Sequence, residues 1–227
     1  NPLTAITVQP VALTRCTGTA AAFSVTATGA GLTYQWRKGG TNISGATNSS
    51  YSIASVVIGD AANYDVVVTG TCGSVTSNAV ALTVNTAPAI TTQPASLTQC
   101  AGTNATFSVT ATGTSISYQW QKGGSNIGGA TNASYTLNNI SAADAGSYTV
   151  VLTGTCGTLT SNAATLTVNA APVITGQPAP VAGCTGTPAT FTVTATGAGL
   201  TYQWRKGGTN ISGATNASYT IASLAAG

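Results

Sequence analysis

The most reactive side chains in this 227-residue sequence are five cysteines, Cys16, Cys72, Cys100, Cys156 and Cys184. Their spacing is regular: 16, 100 and 184 lie 84 residues apart, and so do 72 and 156. Thiols in such a pattern can pair as disulfides, stay free or hold a soft metal. Zinc is disfavoured, because the chain has no His and no two cysteines close together. Cysteines kept in a sequence without Met point to an extracytoplasmic, disulfide-forming protein.

Other chemistry is thinly supplied. Catalysis needs titrating groups gathered in one place. The only carboxylates are Asp60, Asp65 and Asp144, and Asp60 and Asp144 are again 84 apart. A paired-carboxylate site cannot be assembled in each repeat, and calcium would lack its oxygen anions. No glycine-rich phosphate loop sits between a strand and a helix. Lys38, Lys122 and Lys206 read as exposed turn residues, which disfavours an isopeptide bond, and Arg37 and Arg205 read as solvated neighbours. Gln121 stands where the other copies have Arg, so a shared ligand site there is doubtful. Trp36, Trp120 and Trp204 read as core rather than as sugar platforms, and Tyr51, Tyr135 and Tyr219 read as packed. The expectation is a protein that is not an enzyme and carries no cofactor.

Charge excludes further classes. Six basic and three acidic residues make 4 % of the chain, against roughly 25 % in an ordinary soluble domain. The surface must be polar through hydroxyls and amides, with little repulsion against self-association. A net charge of +3 without a basic stripe argues against nucleic acid. No apolar run is long enough to span a membrane. No signal peptide is read at the start, as expected of a mature or excised segment.

The elements that position these residues follow the same period. Phe23, Phe107 and Phe191, like the three tryptophans, keep the step of 84, and residues 25–48 are identical to residues 193–216. Three copies of one domain are expected: 1–86, 87–170 and an incomplete 171–227. Within copy two, TFSVTAT, ISYQWQK, ASYTLNNI, GSYTVVLTG and LTSNAATLTV read as strands between glycine-rich turns. Nothing has a helical period. The fold class is all-β, a β-sandwich repeated in tandem.

The motifs carry a family resemblance. Tyr-Gln-Trp at 34–36, 118–120 and 202–204, and Asp144-Ala145-Gly146-Ser147-Tyr148 with its counterpart Asp60 to Tyr64, resemble strand C and the approach to strand F of immunoglobulin-like domains. The resemblance is to the tandem domains of large secreted bacterial proteins, such as surface adhesins and gliding filaments of Bacteroidota. It implies that Tyr64 and Tyr148 form the tyrosine corner. Val25 and Val66, then Val109 and Val150, occupy the positions of the family's inter-sheet cysteines. Each buried Val would contribute about 1.5–3 kcal/mol in place of that bridge.

On the family topology, Cys16, Cys100 and Cys184 fall in the turn before strand B, and Cys72 and Cys156 in the F–G turn. These lie at opposite ends of a sandwich, roughly 30 Å apart at about 3.3 Å per residue, while a disulfide needs Cα atoms within about 7 Å. The resemblance therefore implies head-to-tail pairing of Cys16 with Cys156, with Cys72, Cys100 and Cys184 partnered outside this stretch. Intradomain bridges such as Cys16 to Cys72, or free thiols, remain alternatives. Copy three stops before strands F and G. The function expected is a structural segment of an extracellular filament, stalk or adhesin shaft. Its partners would be further copies of the same domain. The alternative is a set of binding modules for carbohydrate or protein ligands, perhaps appended to a secreted enzyme.

Overall fold

The computed structural model describes residues 2–225. Alternating apolar and hydroxylated residues, rich in Thr, Val and Tyr, set a period of two and produce short strands with one face buried. In copy one, β1 (Ala5–Val8) pairs antiparallel with β4 (Thr26–Thr28), and β3 (Ala21–Ser24) with β7 (Ser50–Ile53). The facing sheet is larger. β2 (Leu13–Cys16) runs parallel to β10 (Val80–Asn85), which pairs antiparallel with β8 (Ala62–Gly70). β8 then pairs with β5 (Thr33–Lys38), and β5 with β6 (Thr41–Asn42). β9 (Gly73–Thr76) also pairs with β8.

Copy two repeats this order. Its small pairings join β11 (Ala89–Thr92) to β14 (Thr110–Thr112), and β13 (Ala105–Ser108) to β17 (Ser134–Leu137). Its large sheet runs β12 (Leu97–Cys100), β20 (Ala164–Asn169), β18 (Gly146–Gly154), β15 (Ser117–Lys122) and β16 (Ser125–Asn126), with β19 (Gly157–Thr160) against β18. Among the described residues of copy three the ladders are pairwise: β21 (Val173–Gly176) with β23 (Thr194–Thr196), β22 (Ala189–Thr192) with β26 (Ser218–Ile221), and β24 (Arg205–Lys206) with β25 (Thr209–Asn210).

The core lies between the sheets. Trp36 and Trp120 are wholly buried, beside Phe23, Tyr64 and Val66 in copy one and Phe107, Tyr148 and Val150 in copy two. Each indole N–H donates to a backbone carbonyl, Asn48 at 3.0 Å and Asn132 at 2.9 Å, which removes the cost of burying that donor. Val25 and Val109 are buried as well. In copy three Trp204, Phe191 and Val193 are only half-buried. The strand that covers their counterparts, β8 or β18, has no equivalent among the described residues there.

Three details depart from the sequence reading. The strand expected over 159–168 is interrupted at residues 161–163, where Ser161 N–H donates to the Val150 carbonyl at 2.9 Å. Cys16 and Cys100 do not lie in a turn; they end β2 and β12, strands stitched parallel to β10 and β20. The strand expected over 106–112 is broken at Val109, whose N–H turns to the Ala133 carbonyl at 3.0 Å. That break lets β13 serve β17 while β14 serves β11.

Candidate functional site: the bridged joint between copies one and two

The joint is built from the ends of three elements. β10 stops at Asn85 and β11 starts at Ala89, so residues 86–88 alone connect the two copies. Pro88 within this connection restricts it further. Cys16 sits opposite Asn85 in the parallel ladder, and Thr17 N–H donates to the Asn85 carbonyl at 2.9 Å. Cys16 is thereby placed beside the exit of copy one.

Copy two meets that exit with two turns. Thr86 N–H donates to Thr114 Oγ1 at 2.9 Å, and Thr114 N–H returns a bond to the Thr86 carbonyl at 3.1 Å. The Thr114 carbonyl then accepts from Thr155 N–H at 3.1 Å. Thr155 precedes Cys156 in the turn between β18 and β19. Backbone hydrogen bonds thus lead from Cys16 through Asn85, Thr86, Thr114 and Thr155 to Cys156.

Cys16 and Cys156 are joined by a disulfide, with Cα atoms 5.8 Å apart and a sequence separation of 140. Close approach is allowed by glycine. A Cβ on Gly113, at φ +144°, would stand 3.0 Å from the Ala87 carbonyl and from Pro88 Cα; one on Gly154 would stand 3.0 Å from Pro88 Cγ. The same joint recurs in part further along. Cys100 pairs with Asn169 in register, Ala101 N–H reaches the Asn169 carbonyl at 2.9 Å, and Ala198 N–H reaches the Ala170 carbonyl at 3.1 Å. Cys72, Cys100 and Cys184 are exposed at the surface.

Residues singled out in the sequence for other chemistry are held structurally. Tyr64 and Tyr148 donate through their hydroxyls to the Asp60 and Asp144 carbonyls, at 2.9 and 2.7 Å. Asp144 accepts from Ser141 N–H at 2.7 Å and from Ser141 Oγ at 2.9 Å, and these bonds hold its carboxyl below the usual range. Arg37 and Lys38 are not solvated turn residues. Arg37 grips Asp65 with two nitrogens at 2.7 and 2.8 Å, and Lys38 Nζ reaches the Gly59 carbonyl at 2.7 Å and Asp60 at 3.3 Å. Lys122 likewise donates to the Ala143 carbonyl. Among the described residues no group of three or more His, Cys, Asp or Glu stands together as a metal site.

The joint threonines went unnoticed in the sequence. Thr86 and Thr114 correspond to Ala170 and Ala198 one period later, so the repeat does not single them out.

Comparison with known proteins supplies the frame. The immunoglobulin domain family model matches residues 87–153. A three-domain I-band fragment of titin superposes with a TM-score of 0.73, covering 99 % of this chain and 90 % of that one at 19 % identity. The chain is a tandem of immunoglobulin-like domains. Two curated relatives also match this tandem. One is the "Highly immunogenic outer capsid protein" of Enterobacteria phage T4, 32 % identical over 169 residues, 67 % of this chain and 42 % of that protein. The other is "Endoglucanase C" of Cellulomonas fimi, 32 % identical over 120 residues, 50 % of this chain and 11 % of that protein. The tandem therefore spans less than half the length of either.

Proposed function

We propose that this chain is a stiff structural spacer, a segment of an extracellular bacterial filament, stalk or adhesin shaft whose immunoglobulin-like copies are bolted at their joints. The observation that carries this reading is the Cys16–Cys156 disulfide across the joint. A single short linker leaves two bodies free to swing and twist about one point. A second covalent tether beside it removes most of that freedom. Disulfides persist in oxidising surroundings outside the cytoplasm, and the curated relatives come from a phage and a bacterium. The 84-residue spacing supports Cys100 and Cys184 repeating the bridge with further copies. No catalytic role is assigned, since Asp60, Asp65 and Asp144 are each engaged in local hydrogen bonds or ion pairs.

The bridge also redirects tension. Pulled from its ends, the covalent path runs from the start of the chain to Cys16, across to Cys156, and on to the end. Residues 17–155 are bypassed. Under force the oxidised chain should lengthen by roughly 490 Å less on full unfolding than the Cys16→Ser variant, at about 3.5 Å for each bypassed residue. Single-molecule force extension reads this directly. Equal final contour lengths would sink the bolted-joint reading.

The alternative, a binding module for carbohydrate or protein, draws support from the match to part of an endoglucanase. It is weakened by Trp36 and Trp120, which are fully buried and offer no stacking platform. Glycan-array binding abolished by a surface Tyr→Ala change would favour it instead.

A further inference from the structure

Copies one and two each leave one strand edge unpaired. Among the described residues, β7 and β17 pair with β3 and β13 on one side only. The connections that arrive at them, residues 43–49 and 127–133, lay no strand along the other side. Their backbone is used in a tight turn instead. Ala130 N–H donates to the Ile127 carbonyl at 3.2 Å and Trp120 N–H to the Ala130 carbonyl at 2.9 Å, and copy one repeats both bonds at Ala46 and Trp36. A surface hollow of about 400 Å³ is left beside β17, lined by Gly128, Gly129, Asn132, Ser134 and Thr136.

Strand alternation decides which groups face that space. Val109 N–H reaches the Ala133 carbonyl at 3.0 Å, so the in-register pairs Phe107 with Tyr135 and Ala105 with Leu137 are the hydrogen-bonded ones. The N–H and C=O of Ser134 and Thr136 therefore point outward from the sheet edge. Val25 N–H, at 3.0 Å from the Ser49 carbonyl, sets Ser50 and Ser52 the same way in copy one.

Nothing in the sequence guards this edge. Exposed edges are ordinarily blunted by charge or proline, and residues 39–57 and 123–141 hold neither. Tyr135 and Leu137, like Tyr51 and Ile53, are only partly buried against the core, and a neighbouring strand would cover them. On the outer face the Thr106 and Thr136 hydroxyls stand 2.9 Å apart, a rung that a further hydroxylated strand extends. The cover that fits is extended, uncharged, hydroxylated on one face and apolar on the other. The edge itself has that chemistry, and a two-fold antiparallel pairing sets its donors against its own acceptors.

We infer that β7 and β17 are edges through which two chains of this protein pair side by side, antiparallel and strand to strand. This goes beyond the stiff-spacer reading and does not rest on it, because each edge belongs to a single copy and not to the joint.

The test uses the oxidised 227-residue chain bearing Cys72→Ser, Cys100→Ser and Cys184→Ser, which keeps the bridge and excludes disulfides between chains. Sedimentation velocity and hydrogen exchange by mass spectrometry are followed over a wide range of protein concentration. Association should slow exchange at residues 50–53 and 134–137. Ser50→Pro with Ser134→Pro removes one outward N–H from each edge and spares the ladders to β3 and β13. It should weaken association about tenfold or more, through the loss of symmetry-related main-chain hydrogen bonds. Ser52→Lys with Thr136→Lys keeps every main-chain donor, and should weaken association more at low salt than at high. Tryptophan fluorescence reports that each variant is folded. A chain that stays monomeric overturns the inference. So does association that leaves residues 50–53 and 134–137 unprotected, or that either folded variant keeps unchanged. Protection of these residues only on adding a soluble glucose oligomer would give the edge to carbohydrate, and overturns it as well.

Discussion

At the scale of single residues, the tyrosine corner fixes how the fold answers to pH. Tyr64 and Tyr148 are buried, stack on Phe23 and Phe107 with ring centroids 4.9 and 4.7 Å apart, and donate their hydroxyls to backbone carbonyls. Burial pushes both hydroxyls from 10.0 up to about 12, with Asp60 and Asp144 adding to the shift. The folded state holds these protons more tightly than the unfolded chain. Their contribution is complete below the unfolded value of about 10 and is lost as pH climbs towards about 12. Asp144 works in the opposite sense: its lowered value stabilises the fold above the ordinary carboxylate range and is lost in acid. Urea unfolding should therefore show stability falling between about pH 10 and about pH 12. The double variant Tyr64→Phe, Tyr148→Phe should be about 1 kcal/mol less stable per site at neutral pH, and much flatter in alkali. An unchanged alkaline slope in that variant would refute this assignment. The corner was legible in the sequence because Asp-x-x-x-Tyr is a local motif. Arg37 was not, because its partner Asp65 lies 28 residues away and only strand pairing brings them together.

At the scale of strands, copies one and two perform a natural exchange of a cross-strand pair. Arg37 and Asp65 occupy the register positions of Gln121 and Thr149. Both pairs are partly exposed, so the ion pair is worth little in absolute terms but its members are coupled. Arg37→Gln alone leaves Asp65 without its cation, and Asp65→Thr alone leaves Arg37 without its anion. Each should cost about 0.5–1 kcal/mol, while the double variant should recover most of the loss, as a coupled pair requires. Chemical denaturation of all four proteins closes the cycle; strictly additive losses would mean that the two side chains do not interact. Most strands were legible from their alternation, since one face must be dry. β2 and β12 were missed because four residues carry too little pattern, and only their parallel pairing with a strand at the far end of the domain makes them strands. The break of strand B at Val109 was equally invisible, because it is imposed by two partners competing for one segment.

At the scale of the whole molecule, the cores and the joint are stabilised by separate means. Val25 with Val66, and Val109 with Val150, are buried where a related domain would place its bridge. Each sandwich is therefore closed by apolar contact, aromatic stacking and hydrogen bonds, none of which a reductant touches. The one disulfide among the described residues lies at the joint. The head-to-tail pairing was legible through the family resemblance, whose topology sets the two cysteine positions at opposite ends of a sandwich and so favours a bridge between copies over one within a copy. The supporting hydrogen-bond path through Thr86 and Thr114 was not, because it exists only once the two copies meet. Reduction should then separate two properties that a core disulfide would couple. Far-ultraviolet circular dichroism at 25 °C should stay that of a folded β protein. Small-angle scattering should pass from one narrow set of interdomain orientations to a broad one, and Cys156→Ser should reproduce the reduced state without reductant. Heating should reveal a lower midpoint in the unbridged form. The lost loop closure over 140 residues frees unfolded-chain entropy worth on the order of 5 kcal/mol. If reduction instead erased the β signal at 25 °C, the bridge would be a requirement of the fold and not a bolt between finished domains. Stiffness in this chain would then be a by-product of stability.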